Sequence, residues 1–295
     1  MWKSAVGAVT SNSATYIREW VAHQYIVGFD KIIVVLDNCD DDTFNQIQRL
    51  PWYVLERVDV HNNQTPAPHY NDRFQYRAYQ KIYDLYNDKV EWLAMFDDDE
   101  FFYDHQRRKI NDLLANISAN QVVLPWVMFG HSGQVYSPPY TRFESFQHVV
   151  PQERLNGWYF PYEVKSIVRF SSIITENNLF DSSKKNDWWY NHCANHQGDF
   201  SVTFDGREHK LERGLYCKAV YEHLDTCLAH YFIGSMSEFA TRTQRWQRVP
   251  LLGPHEIRKS SMDRFLRCRG GQIDARMMIY VDELNEILGD SYPGR

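Results

Sequence analysis

The run "KIIVVLD" (Lys31 to Asp37) limits the possible folds more than any other stretch of the chain. A strand with one wet face alternates apolar and polar residues. Ile32 to Leu36 does not alternate, so it reads as a strand covered on both faces, as in a parallel sheet under helices. The segments around it fit such a layer. Ser4 to Val9 reads as a short buried first strand. Ser13 to Phe29 carries Ile17, Trp20, Val21 and Tyr25 at helical spacing, with Ser13 as N-cap and Gly28 as the stop. "WYVLERVDV" (from Trp52) reads as a third strand, and residues 72–88 as a helix with Phe74, Tyr79, Ile82, Tyr83 and Tyr86 on its apolar faces. "VEWLAMF" is a fourth strand, followed by a helix around Arg107 to Ala115 and the strand "QVVLPWVMF". Alternation of this kind predicts an α/β layer with a mainly parallel central sheet and right-handed crossovers. Past about residue 130 the chain turns to long Gly, Ser, Pro and aromatic loops, with a short strand at "KSIVRF" and helices at "SMSEFATRTQRW" and "IDARMMIYVDELNEIL". No repeat or linker interrupts it, so a single domain over 1–245 is expected, with a C-terminal helical tail, 246–295, packed on it.

In open α/β sheets ligands bind beyond the carboxyl ends of the strands. Two of the predicted strands end there in acids: Asp37 with Asp40 to Asp42, and the four carboxylates Asp97 to Glu100 between "WLAMF" and "FF". Side chains two apart on an extended chain share a face, so Asp97 and Asp99 converge while Asp98 points away. Two convergent carboxylates suit a hard divalent cation, Mn²⁺ or Mg²⁺, whose shell is completed by phosphate oxygens and water. A solvated acidic turn is the plainer alternative, but a turn clamped between apolar segments is not a surface turn.

Composition narrows the partners. A formal net charge of −6 argues against nucleic acid, whose phosphates need clustered Lys and Arg. Aromatic residues make up 15% of the chain, a usual resource for stacking in binding sites. The 5 cysteines are scattered without a CxxC pair, which reads as reduced thiols. "HCANH" (His192 to His196) matches no four-ligand zinc spacing. No apolar run approaches the ~18 residues of a membrane span. The opening residues do not form a signal peptide, so a soluble cytoplasmic enzyme of bacterial or viral type, peripheral to a membrane at most, is expected.

Several blocks stand in a telling order: "NSATYIREW" (Asn12 to Trp20), "LDNCDDDT" (Leu36 to Thr43), Gln75 ahead of Tyr79, and "WLAMFDDDEF". "FGHSG" (Phe129 to Gly133), "KSIVR" (Lys165 to Arg169) and "AHYFIGSMSEF" (Ala229 to Phe239) follow. Together they resemble the metal-dependent GT-A glycosyltransferases of the family 2-like and family 92 group. The resemblance implies a Rossmann-like GT-A fold with a nucleotide-sugar half, 1–130, and an acceptor half, 131–245. It implies inverting transfer of a sugar from a UDP-sugar to a glycan or other hydroxyl acceptor. Thr10, Ser11, Asn12, Asp37, Asn38, Gln75, Asp97, Asp98 and Lys165 would meet the donor, and Asp97, Asp99 and His230 would hold the metal. Without the resemblance His230 reads as a core histidine. The chain departs from the family pattern at Ser13, where a Glu is usual, and at Gly234, where a Lys is usual; Thr141 stands where an acid often precedes "Arg-Phe".

An inverting transfer needs a carboxylate to take the acceptor proton. Asp187, beside Trp188 and Trp189, is the first candidate, with Glu144 and Glu163 as rivals. Those tryptophans and the loops from Tyr136 to Phe160 are expected to wall an acceptor groove. A carbohydrate-binding protein without activity on the same fold, and a metal-dependent phosphohydrolase, are the competing readings.

Overall fold

The run at 31–37 is strand β2 (Lys31–Asp37), buried along its whole length in the computed structural model. The structure describes residues 1–64, 73–151, 162–173, 200–211, 220–221, 225–246, 263 and 265–289, with backbone alone at 73–77 and 242–246. Strand β1 (Trp2–Thr10) lies parallel to β2, with Val6 opposite Ile32 and Thr10 opposite Leu36. On the other side of β2, β3 (Val58–Asn63) is also parallel and sets Asn63 against Asp37. Strand β4 (Val90–Met95) flanks β1, again parallel. These four, in the order β3-β2-β1-β4, are the Rossmann-like half anticipated from the apolar runs.

Beyond β4 the sheet is mixed. β5 spans Glu100–Asp104 and β6 spans Gln121–Met128. β7 (Val164–Arg169) runs antiparallel to both β4 and β6. With β10 (Thr226–His230) the full order is β3-β2-β1-β4-β7-β6-β10-β5, and the two-residue strands β8 (Ser201–Val202) and β9 (Glu208–His209) branch from β6. The fold is therefore mixed α/β, with four consecutive parallel strands in the first half and a further short parallel pairing of β6 with β8.

Two compact units emerge: Met1–Trp126 with Tyr162–Leu228, and Val127–Pro161 with Ala229–Arg295. In the first, helix α1 (Ile17–Val27) stops where Gly28 adopts a left-handed conformation at φ 94°, as anticipated. Its start differs from expectation. Tyr16 occupies the cap position without a side-chain cap bond, because the Ser13 hydroxyl is used elsewhere. The short helices α2 (Thr43–Gln48) and α3 (Trp52–Leu55) follow β2. The strand expected from Trp52 is thus a helical turn first, with Pro51 entering it, and β3 begins only at Val58. Helix α4 (Arg73–Tyr86) lays Tyr79, Ile82 and Tyr86 on Ala5, Val9, Ile33 and Val35. Gly7 permits that approach: a Cβ there would stand 2.8 Å from Met95 Sδ and 2.9 Å from Ile82 Cδ1. Helix α5 (Ile110–Ala115) completes the described helices of this unit.

In the second unit, α6 (Arg142–Ser145), α7 (Met236–Trp246) and α8 (Val281–Leu288) accompany a seam of backbone bonds. His131 and Ser132 N–H donate to the Cys268 and Arg269 carbonyls at 3.0 and 3.1 Å. Gly130 N–H donates to His148 O at 2.8 Å, and Val149 N–H to Gln272 O at 3.0 Å. The approach is so close that a Cβ on Gly130 would fall 2.2 Å from Cys268 O, and one on Gly270 2.3 Å from His148 Cβ. Phe239, Phe265, Met128 and Val150 form the apolar cluster beneath.

Among the described residues, Cys39, Cys227 and Cys268 are not joined by a disulfide. Among the described residues no helix is long and apolar enough to cross a membrane.

Candidate functional site

The carboxyl ends of β1, β2 and β4 carry the loops that the sequence marks, and hydrogen bonds fasten them to one another. The Thr10 and Ser13 hydroxyls both donate to Asp98 Oδ2. Their oxygens lie 2.5 Å apart, with Tyr16 Oη 3.2 Å from Ser13 Oγ. Asp98 therefore faces the β1–α1 loop. That geometry also accounts for Ser13: a glutamate at this position would set a second carboxylate against Asp98, whereas a hydroxyl satisfies it. Asn12, at φ 56°, forms a reciprocal pair with Asp40, whose N–H donates to Asn12 Oδ1 at 2.8 Å. Asp37, fully buried, accepts from Asn63 Nδ2 at 2.7 Å, and Asn38 N–H donates to Asn63 O at 3.2 Å.

The other acids after β2 hold this loop together. Asp41 accepts from Ala14 N–H and Thr43 N–H, each at 3.0 Å, while Asp42 accepts from Asn45 and Gln46 side chains in α2. These amide hydrogen bonds hold Asp42 below the ordinary carboxylate range, with Arg49 adding to them against the small opposing effect of burial.

The turn after β4 is built differently. The strand ladder ends with Phe96 N–H on Gly7 O at 3.0 Å, and the next amide, Asp97 N–H, donates to Glu100 Oε2 at 2.8 Å. Lys165 Nζ, on β7, stands 3.2 Å from Asp97 Oδ2 and 3.4 Å from Glu100 Oε2. Lys165 is 1% exposed and Glu100 fully buried, while a third of the Asp97 side chain reaches solvent. Burial acts to lower Lys165, but Asp97 and Glu100 outweigh it and hold the ammonium charged. Burial drives the Glu100 carboxyl well above its ordinary range; Asp97 and Asp99 push the same way, and Lys165 opposes them. Asp99 is buried in the same turn. Trp126 lies beneath Lys165, 5.9 Å from Nζ to the ring centre.

Glu163 sits two residues before Lys165. Its carboxyl is buried, with Oε2 lacking a hydrogen-bond partner among the described residues. Burial raises it to about 7, with Asp97 adding and Lys165 subtracting. Its carbonyl accepts the Tyr221 hydroxyl, and that same oxygen of Tyr221 takes Trp126 N–H at 3.0 Å. Sequence reasoning named Glu163 only as a rival base and gave Glu100 no part. The signal for both was position: each lies within a few residues of buried aromatic or apolar strand residues.

In the second unit, His230 ends β10 with its ring edge-on to Phe232 at 5.7 Å, and its carbonyl accepts Phe129 N–H at 2.9 Å. Glu144 closes α6 in a capping box, its Oε2 accepting from Thr141 N–H at 3.1 Å and from the Thr141 hydroxyl at 2.8 Å. Thr141 is thus the N-cap residue of α6. Glu238 does the same for α7: Ser235 N–H donates to Oε2 at 2.7 Å, and Glu238 N–H to Ser235 Oγ at 3.2 Å. Gly234, at φ 60°, lies so near that a Cβ would meet Glu238 Oε2 at 2.7 Å. A side chain at this left-handed position would have to displace the Glu238 carboxylate. Tyr136 is 78% exposed and Tyr140 56%. Gln75 lies on α4 with its side chain undescribed, and Asp187, Trp188, Trp189 and residues 152–160 fall outside the described residues.

Among the described residues no group of three or more His, Cys, Asp or Glu side chains is arranged to hold a metal ion. Asp97 and Asp99 are hard oxygen donors, both acting on Glu100, and an ion of the Mg²⁺ class commonly takes only one or two protein carboxylates.

No protein-family model matches the chain, and no curated protein matches it. Among solved structures it is similar to the crystal structure of S. aureus TarS residues 1–349, at 14% identity and a TM-score of 0.38, over 90% of this chain and 70% of that one. Nothing about the chemistry of this chain follows from a likeness at that level.

Proposed function

We propose that this chain is a glycosyltransferase that binds a UDP-sugar with a divalent cation, Mn²⁺ or Mg²⁺, and inverts the sugar onto a glycan or other hydroxyl acceptor. The observation that carries the reading is the junction at the carboxyl ends of β1 and β4. There the Thr10 and Ser13 hydroxyls grip Asp98, and Lys165 lies against Asp97. Loops that the sequence pattern assigns to the nucleotide and to the diphosphate are thereby one fastened surface, at the edge where α/β sheets receive ligands.

The residues divide the work. Thr10 to Asn12, Asp37 and Asn38 would form the nucleotide end together with Gln75, and Lys165 would offer a fixed positive charge to the diphosphate. Asp97 and Asp99 are the carboxylates that would hold the cation. When bound, the cation supplies charge that a departing diphosphate requires. Glu163, held near neutrality by burial, suits removal of the acceptor proton better than Glu144, which is spent on its cap. Asp187 is the other candidate.

Thermal shift with UDP, GDP and CMP, each with and without Mn²⁺, tests the reading. Stabilisation that needs UDP and metal together is expected in the parent, and Asp99→Ala should lose it while folding normally. No response to any nucleotide would sink the reading. Turnover of Glu163→Gln and Asp187→Asn, measured side by side, identifies the base.

A further inference from the structure

We infer that Glu100 is the positioning residue of the acidic turn: its buried carboxylate joins the Asp97 amide to the Lys165 ammonium and so sets where Asp97 and Lys165 stand. The bonds describe a clamp. Asp97 N–H is the first amide past the β4 ladder, and without Glu100 Oε2 at 2.8 Å it would have no acceptor of that kind. Glu100 N–H returns to Asp97 O at 3.0 Å, closing the turn from the other end. The Glu100 carbonyl in turn accepts Trp20 Nε1 at 3.0 Å and Gln24 Nε2 at 3.3 Å, both buried on α1. One residue therefore ties the turn to a core helix through its backbone and to β7 through Lys165. Its second oxygen, Oε1, is buried with no hydrogen-bond partner among the described residues. A carboxyl kept dry at that expense, beside two Phe residues with no exposure, is held for where it puts its neighbours.

The work of Glu100 on Asp97 is that of an acceptor, and glutamine retains an acceptor while alanine does not. Amide hydrogen exchange at Asp97 reads this directly and does not depend on what the protein binds. The parent should protect Asp97 N–H well above the amides of the open loop. Glu100→Gln should keep that protection within about threefold, and Glu100→Ala should lose about tenfold, the worth of one buried hydrogen bond. Amides of Leu93 and Ala94, inside the ladder, should stay protected in all three. An unprotected Asp97 amide in the parent or in Glu100→Gln overturns the inference even if the alanine variant fails to fold. So does unchanged Asp97 exchange in a folded Glu100→Ala. The binding arm rests on the glycosyltransferase reading: UDP with Mn²⁺ should bind Glu100→Gln as it binds the parent and Glu100→Ala about tenfold more weakly. A parent that ignores UDP refutes that reading and leaves the exchange result to decide the clamp. Equal UDP affinity in all three proteins refutes the positioning role.

Discussion

Asp40 to Asp42 follow β2 as Asp97 to Glu100 follow β4, yet the partners of the two groups differ. Asp40, Asp41 and Asp42 each accept from nearby amides or amide side chains, so their charge is absorbed within the loop they shape. After β4, Asp97 and Glu100 lie against a single buried cation from another strand, while Asp98 turns to hydroxyls. Glu144, which caps helix α6, belongs with the first kind, whereas Glu238 both caps α7 and pairs with the buried Arg142. Runs of acids at strand ends look alike in sequence. A carboxylate that answers local N–H groups shapes a loop, while one that needs a lysine from a distant strand marks a place where charge is concentrated for use.

The largest test of that contrast is Lys165→Met. Removing one partner of a buried pair leaves the other uncompensated, and a loss of about 3–5 kcal/mol is expected in denaturant unfolding. A loss under about 1 kcal/mol, the range of an exposed pair, would erase the distinction between the two clusters.

Glu163 gives a smaller, pH-dependent effect. Its carboxyl is raised in the folded protein to about 7 from an ordinary 4.5. The folded state then binds the proton more tightly, so this group adds stability below about pH 4.5 and loses it as pH rises through about 7. Glu163→Gln should be more stable than the parent at pH 8 by about 3 kcal/mol at most, with no difference at pH 4. Parallel stability curves for the two proteins across that window would show that the carboxyl does not sit in the apolar surroundings described.

Gly234→Ala follows. A left-handed residue gains a Cβ that strikes Glu238 Oε2, so backbone strain and a disturbed cap should together remove about 1–2 kcal/mol. Gly133→Ala is the control: φ is 83° but the space is open, so only the strain remains. Equal effects would mean that the Glu238 cap does not select glycine. Least of all, Asp42→Ala should move the melting curve slightly and leave any response to UDP and Mn²⁺ unchanged. A lost nucleotide response would place Asp42 with the second kind of carboxylate.

Much of the fold was legible because burial leaves a pattern. Ile32 to Leu36 could be nothing but a doubly covered strand, and Gly28 stopped α1 as its freedom at positive φ allows. Trp52 misled because aromatic and β-branched residues favour strands, while the decisive residue was Pro51, whose fixed φ starts a helical turn. The antiparallel run of β7 was not legible: five buried residues look the same in either direction, and only pairing with β4 and β6 decides it. In the candidate site, Thr10, Asp37 and Asp97 were readable as strand-end polar residues. The capping boxes Thr141-x-x-Glu144 and Ser235-x-x-Glu238 were readable too, by their spacing. Lys165 beneath Asp97 was not, since no local spacing links residues 68 positions apart.

The seam at Gly130 and Gly270 bears on how the chain comes off the ribosome. Residues 131–149 form backbone bonds with residues 268–274, so the second unit cannot close until those later residues have been made. Throughout that interval the amides of His131, Ser132 and Val149 and the apolar side chains of Met128 and Val150 wait without their final neighbours. Contacts of such sequence separation form slowly and leave aggregation-prone surface open meanwhile. Strands β1 to β4, by contrast, are all synthesised by residue 95. The nascent protein is thus exposed at its second unit during synthesis, and its yield in cells should depend on chaperones that shelter residues 127–150 until translation ends.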